Sequence, residues 1–161
     1  TKRNKTMFNF QPMTATKLSV LAGVLMIVFF LPAHAEGKRC VVIHVPQDNP
    51  KAFKQAINVA SNLPKQLGVD NVTVELAAQG PGLKLLTEGS PEAERIQSII
   101  AQSEDTMGGG VTFSACAATM AGIKKRTGKE PVLLKGVGVV HPGAAVRVME
   151  LQEQGCSYIR I

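Results

Sequence analysis

Two periodicities alternate along the chain. Cys40-Val41-Val42-Ile43-His44-Val45 is a short β-branched run, the pattern of a strand buried on both faces of a parallel sheet. Pro46-Gln47-Asp48-Asn49-Pro50 supplies turn chemistry, with Asn49 placed to cap and Pro50 at the first helical position. Phe53, Ile57, Ala60, Leu63 and Leu67 then recur at three- and four-residue spacing, predicting an amphipathic helix that ends at Gly68. A second strand is expected over residues 72–77, followed by the glycine loop Gln79-Gly80-Pro81-Gly82 and a short apolar segment over residues 83–86. Ser90 and Pro91 are expected to start another helix, with Glu92 and Glu94 in the first turn, where the dipole favours acids, and Ile96, Ile99 and Ile100 on the buried side. Gly108-Gly109-Gly110 leads into a third strand over residues 111–115, then a helix from about Cys116 to Arg126 that Gly128 ends. Residues 132–134 and 137–140 read as two short strands or one interrupted strand. Pro142 and Gly143 open a last helix, Gly155 stops it, and residues 156–161 close the pattern as a strand. Strand and helix in strict alternation imply parallel strands joined by right-handed crossovers. The expected fold is a three-layer α/β/α sandwich with a mostly parallel sheet of about five strands.

Residues 1–35 stand outside that pattern. Lys2, Arg3, Lys5 and Lys17 make a basic start, and an apolar run over residues 18–31 is broken only by Ser19 and Gly23. It closes on Pro32-Ala33-His34-Ala35, a small-x-small sequence of the kind a signal peptidase reads. The run is 14 residues long, and a membrane-spanning helix needs about 20. A cleavable signal peptide is expected, with an uncleaved anchor as the lesser alternative. The domain over residues 36–161 would then be periplasmic or secreted, touching a membrane only through the signal before cleavage.

That division changes the charge balance. The leader carries four of the 18 Lys and Arg residues and none of the 12 acids, so the remainder has 14 basic and 12 acidic side chains, a net of +2. Nucleic-acid binding needs a concentrated basic face; only Lys124, Lys125, Arg126 and Lys129 cluster, as a solvated helix end does. Nucleic acid is not an expected partner.

Three cysteines remain: Cys40, Cys116 and Cys156. An odd number in an oxidising compartment leaves at least one thiol unpaired within the chain. Cys116 sits where the third strand delivers it to the start of a helix, at the carboxyl edge where open parallel sheets gather their functional groups. Unpaired N–H groups and the positive end of the helix dipole favour thiolate there. Ala115, Ala117 and Ala118 leave room around it, and Thr119 is close enough to hydrogen-bond locally. A small, buried, inert core thiol is the competing reading, on equal terms. Cys40 and Cys156 begin the first and last strands and share the opposite edge. Sequence does not establish that their strands are neighbours, so the reading leans to unbridged thiols and leaves a disulfide open.

His44 lies within a strand, as a packed or hydrogen-bonded residue. His141 precedes Pro142 at a carboxyl-end turn, a place from which it could approach Cys116 or a second subunit's site, although an exposed turn residue is the favoured reading. Gly80 and Gly82 are weak candidates for a binding loop, with a plain turn as their default meaning. No spaced Cys, His and acid set suits zinc, and no nucleotide-binding glycine motif is present, so neither metal nor cofactor is expected.

Taken in order, the segments Val41-Val42-Ile43-His44-Val45, Leu76-Ala77-Ala78-Gln79-Gly80-Pro81-Gly82, Val111-Thr112-Phe113-Ser114-Ala115-Cys116-Ala117-Ala118-Thr119-Met120 and Val139-Val140-His141-Pro142-Gly143, together with Leu151-Gln152-Glu153-Gln154-Gly155-Cys156-Ser157-Tyr158-Ile159, resemble the DsrE/DsrF-like (YchN-like) family over the whole of residues 36–161. The resemblance implies a parallel α/β/α fold and a homo-oligomer, trimeric or hexameric. In the sulfur-relay branch of that family, a cysteine at the position of Cys116 carries sulfane sulfur as a persulfide, received from and passed to a protein or a small sulfur compound. That branch is cytoplasmic, whereas this chain is expected to be exported. Many members outside the branch have no assigned activity, and Cys156 stands where the family more often has an aromatic residue. Two functions are therefore carried forward: a sulfur carrier using Cys116, with Thr119, His141, Gly80 and Gly82 as candidate contacts, or an oligomeric small-ligand-binding module whose thiol is structural.

Overall fold

The structure, a computed structural model, describes residues 37–161 except 105 and 107–109. The segment expected to be a signal peptide, residues 1–35, lies outside the described residues. Strand β1 (Arg39–Val45) is followed by helix α1 (Pro50–Leu67), strand β2 (Val72–Ala78) and a 3-10 segment (Gly80–Leu86). Helix α2 (Ala93–Glu104), strand β3 (Gly110–Cys116), helix α3 (Ala117–Thr127), strand β4 (Gly138–Val140), helix α4 (Ala144–Glu153) and strand β5 (Ser157–Arg160) complete the order. The five strands form one sheet in the order β4-β3-β2-β1-β5, and all four pairings are parallel.

This order explains the layers. The chain steps in one direction from β1 through β4, then returns across the sheet to place β5 beside β1. Right-handed crossovers put helices from opposite travel directions on opposite faces. Accordingly α1, α2 and α3 share one face and α4 lies alone on the other. The first face buries Val41, Ile43 and Val45 of β1, Val72, Val74 and Leu76 of β2, and Val111, Phe113 and Ala115 of β3, against helical residues such as Phe53, Ile57, Ile96 and Met120. The second holds a smaller cluster, in which Val42, Ala77 and Cys116 meet Ala144, Val148 and Leu151 of α4. The strict in–out alternation is the period-two geometry of a strand expressed in the sequence.

Local chemistry sets most element ends as expected. The Asn49 side chain accepts the N–H groups of Lys51 (3.0 Å) and Ala52 (3.4 Å), with Pro50 following it. Gly128 stops α3 in the left-handed conformation, φ 73°, which costs a residue with a Cβ far more.

Three expectations need correction. The helix expected from Ser90 begins at Ala93, because Ser90 Oγ instead accepts the Glu92 N–H (3.3 Å) in a turn that precedes it. Residues 132–134 do not join the sheet: Leu134 N–H donates to the Leu86 carbonyl (3.0 Å) and Glu88 N–H to the Val132 carbonyl (2.9 Å), tying the segment to the end of the 3-10 turn. Cys40 and Cys156 do form a disulfide, with Cα atoms 4.5 Å apart. The β1–β5 pairing brings their strands together.

Candidate functional site

Cys116 is the described free cysteine, and it is the last residue of β3 and the cap of α3. Being paired with Val140 of β4, it faces the same side as α4. The loop between β4 and α4 therefore passes directly over it. Gly143, the residue before α4, comes so close that a Cβ built there would lie 3.2 Å from Sγ and 3.4 Å from the Ala118 Cβ. A side chain at 143 would make the neighbouring atoms give by a few tenths of an ångström. Cys116 keeps 5% of its surface exposed.

Two helix starts thus converge on one sulfur, α3 from its own chain continuation and α4 from across the sheet. Cys116 makes no close capping bond. Burial pushes the thiol pKa up, but the Thr119 hydroxyl and the backbone N–H groups of Ala144, Thr119 and Ala118 pull it down, and the net direction is below the ordinary thiol value. Thr119 is itself oriented: its Oγ1 accepts the Gly80 N–H at 2.9 Å, which leaves its own proton free to point at the sulfur.

A first expected result follows with its sign. A depressed thiol pKa leaves more thiolate at a given pH, so alkylation of Cys116 should reach half its plateau rate below the value for free cysteine, about 8.5. The same shift means that the unfolded chain holds the proton to higher pH than the folded one. The stabilisation it brings is complete above about 8.5 and is lost as pH falls through the folded value. Measuring alkylation rate against pH, with Cys116→Ser as blank, checks it; a midpoint at or above the free-cysteine value would refute it.

The other predicted residues fall in different places. Gly80 joins the site through its N–H to Thr119. Gly82 does not: it is buried, donates its N–H to the Gln79 carbonyl (3.0 Å) and packs against the end of β1. His141 follows Val140, is joined to Pro142 by a cis peptide, and is exposed. It borders an open groove on the part of the sheet that α4 leaves uncovered, together with Thr112, Ser114, Glu75 and Arg147. His44 is hydrogen-bonded, Nδ1 to the Tyr158 hydroxyl at 2.9 Å, while its buried Nε2 has no partner. Burial and, secondarily, the Arg160 charge lower its pKa.

Sequence reasoning passed over Glu75 and Arg147. Glu75 is 9% exposed in the centre of the sheet. The guanidinium of Arg147 grips it with Nε at 3.1 Å from both carboxylate oxygens and Nη2 at 2.7 Å from Oε2, and Ser114 Oγ donates to Oε1 at 2.7 Å. An acid amid the apolar residues of a central strand was the available signal, since a buried carboxylate requires a partner.

The chain matches no protein-family model and no curated protein. Among solved structures it is similar to MTH1491, a protein of unknown function from Methanobacterium thermoautotrophicum, at 27% identity and a TM-score of 0.63, over 76% of this chain and 99% of that one.

Proposed function

We propose that this protein is an exported, DsrE/DsrF-like sulfur carrier that holds sulfane sulfur as a persulfide on Cys116. The observation that carries the reading is the convergence of two helix starts and one hydroxyl on a single sulfur. Such a cradle favours a negative sulfur, and the relay chemistry uses that charge twice. The Cys116 thiolate attacks the outer sulfur of a donor persulfide, R–S–SH. A new S–S bond forms to Cys116 as the donor's own S–S bond breaks, and the donor leaves as R–S⁻ with the bonding electron pair. The proton stays on the transferred sulfur or passes to solvent. An acceptor thiolate then repeats the attack on that outer sulfur and regenerates the Cys116 thiolate. No net oxidation takes place, so neither metal nor cofactor is required.

Export is supported by the apolar leader and by the Cys40–Cys156 disulfide, a bond that persists in oxidising compartments. Self-association is supported by Val146 and Met149, 40% and 60% exposed on α4, and by Tyr158, 40% exposed on β5; a trimer or hexamer is what the family resemblance implies.

Incubation of the reduced thiol with a small persulfide donor should add 32 Da, about the mass of one sulfur, at Cys116 and nowhere else. Peptide mass spectrometry reads the adduct, cyanide removes it, and Cys116→Ser abolishes it. Absence of the adduct from folded protein sinks the proposal. The second reading, a ligand-binding module with a structural thiol, is favoured by the 5% exposure of Cys116 beneath Gly143 and Ala118. It predicts instead that thiol reagents reach Cys116 only after unfolding.

A further inference from the structure

We propose that Glu75 and Arg147 are a positioning pair that fixes the start of α4 over Cys116. The residues form a closed circuit. Ser114 and Cys116 lie two apart on β3 and face the same side, about 7 Å along the strand. Ser114 Oγ holds Glu75 of β2 (2.7 Å), and Glu75 holds the guanidinium of Arg147 of α4 through three contacts of 2.7–3.1 Å. Arg147 is three residues, less than one turn, after Ala144, whose N–H faces Cys116. Its own backbone N–H closes that turn on the Gly143 carbonyl at 3.2 Å. The circuit therefore begins and ends on one strand, and the fork sets where the helix starts.

The two ends of α4 are held differently. Its far end is packed by Leu151 and tied to β1 by the disulfide at Cys156. Its near end has Ala144 against the sheet and the Arg147 fork. A bidentate guanidinium–carboxylate pair fixes angle as well as distance, which a lysine ammonium does not. Gly143 shows how closely the helix start approaches, because a Cβ added there would lie 3.2 Å from the sulfur. A displacement of the helix start would carry the Ala144 N–H away from Cys116.

This inference rests on Cys116 as the ionised, working sulfur, and one experiment separates the two. The pH midpoint of Cys116 alkylation is measured in the disulfide-intact protein, in Arg147→Lys and in Arg147→Gln, and the Ala144 amide shift is followed by NMR through the same titration. The titratable and charged groups on elements around Cys116 are Arg39 and His44 on β1, Glu75 on β2, Lys84 in the 3-10 segment, Lys124, Lys125 and Arg126 on α3, His141 after β4, and Arg147, Glu150 and Glu153 on α4. Arg147→Lys leaves all their charges in place. It should nonetheless raise the midpoint by about one pH unit, a tenfold loss of thiolate below both midpoints, and uncouple the Ala144 amide from the titration. A normal midpoint in Arg147→Lys with a raised one in Arg147→Gln would mean that charge alone acts, and would overturn the inference. An unchanged midpoint in both variants would overturn it as well, while leaving the carrier reading intact. A wild-type midpoint at the free-cysteine value would remove both. Should the arginine variants unfold, Ser114→Ala, which deletes one contact of the circuit, should raise the midpoint in the same direction by a few tenths of a unit; no rise there overturns the inference.

Discussion

Replacing Gly82 by alanine is expected to destabilise the domain by about 3 kcal/mol, the upper end of what overpacking does, and to lower its melting temperature by roughly 10 °C. The cause is space and not backbone conformation. A Cβ at residue 82 would stand 2.8 Å from the Val45 carbonyl carbon and 3.0 Å from the Gln47 nitrogen, with the Val45 oxygen closer still. That carbonyl cannot retreat, because it ends β1 inside the sheet and already accepts the Gln79 N–H at 3.1 Å. The 3-10 segment must move instead. It carries Leu83, Leu85 and Leu86, all at most 1% exposed, and each fully buried leucine contributes about 1.5–3 kcal/mol. It also carries Gly80, whose N–H orients Thr119 toward Cys116. The variant should therefore show a higher alkylation midpoint along with its lower melting temperature. Thermal unfolding by circular dichroism tests the first effect, and wild-type stability in Gly82→Ala would show that the contact is not as tight as described.

Gly82 also illustrates what was legible in the chain and what was not. The Gly-Pro-Gly sequence announces a turn, and a turn is what it makes. Which backbone presses on it depends on the 3-10 segment folding back over the end of β1, a contact 37 residues away in sequence. The same division holds elsewhere. Strand and helix periods are local, so β1, α1, β2, α3, α4 and β5 appear close to where their residues suggest. Residues 132–134 have the composition of a strand, yet their hydrogen bonds go to Leu86 and Glu88, partners that composition does not specify. Strand order is a global property. Alternation says that strands are parallel but not that β5 returns to β1, and so the disulfide could only be left open.

The site divides in the same way. A cysteine at a strand-to-helix junction is visible in one segment, and Thr119 is three residues on. The second helix start arrives from residues 143–144, and it reaches the sulfur only because β4 pairs with β3 so that Val140 lies beside Cys116. No spacing rule joins residue 116 to residue 144. Glu75 and Arg147 are 72 positions apart; an acid amid apolar strand residues signals that a cation must pair with it, without indicating which.

Removing the Cys40–Cys156 bridge should produce the other large effect, and a different one. The bond closes a loop of 116 residues. Limiting the unfolded chain by a loop of that length stabilises a fold by about 4.7 kcal/mol in the chain-entropy account, with 2–4 kcal/mol the usual measured range. Cys40→Ser with Cys156→Ser is therefore expected to lower the melting temperature by roughly 10 °C, with unfolding still cooperative. Cooperativity survives because β1 remains paired with β5 and α4 keeps Val148 and Leu151 against the sheet. Reductant should lower the melting temperature of the wild type to that of the double variant and leave the variant unchanged. A wild type indifferent to reductant, or a variant that still responds to it, would show that the bridge does not contribute in this way. The alkylation midpoint of Cys116 adds a second axis. The bridge ties the far end of α4, and the Arg147 fork holds the end that meets the sulfur. Loss of the bridge should thus cost stability while the thiol pKa stays where it was, and Arg147→Lys should move the pKa with less effect on melting. A bridge variant whose thiol titrates at a higher pH would mean that α4 responds as one rigid rod, its sulfur-facing end at Ala144 governed from Cys156, twelve residues away.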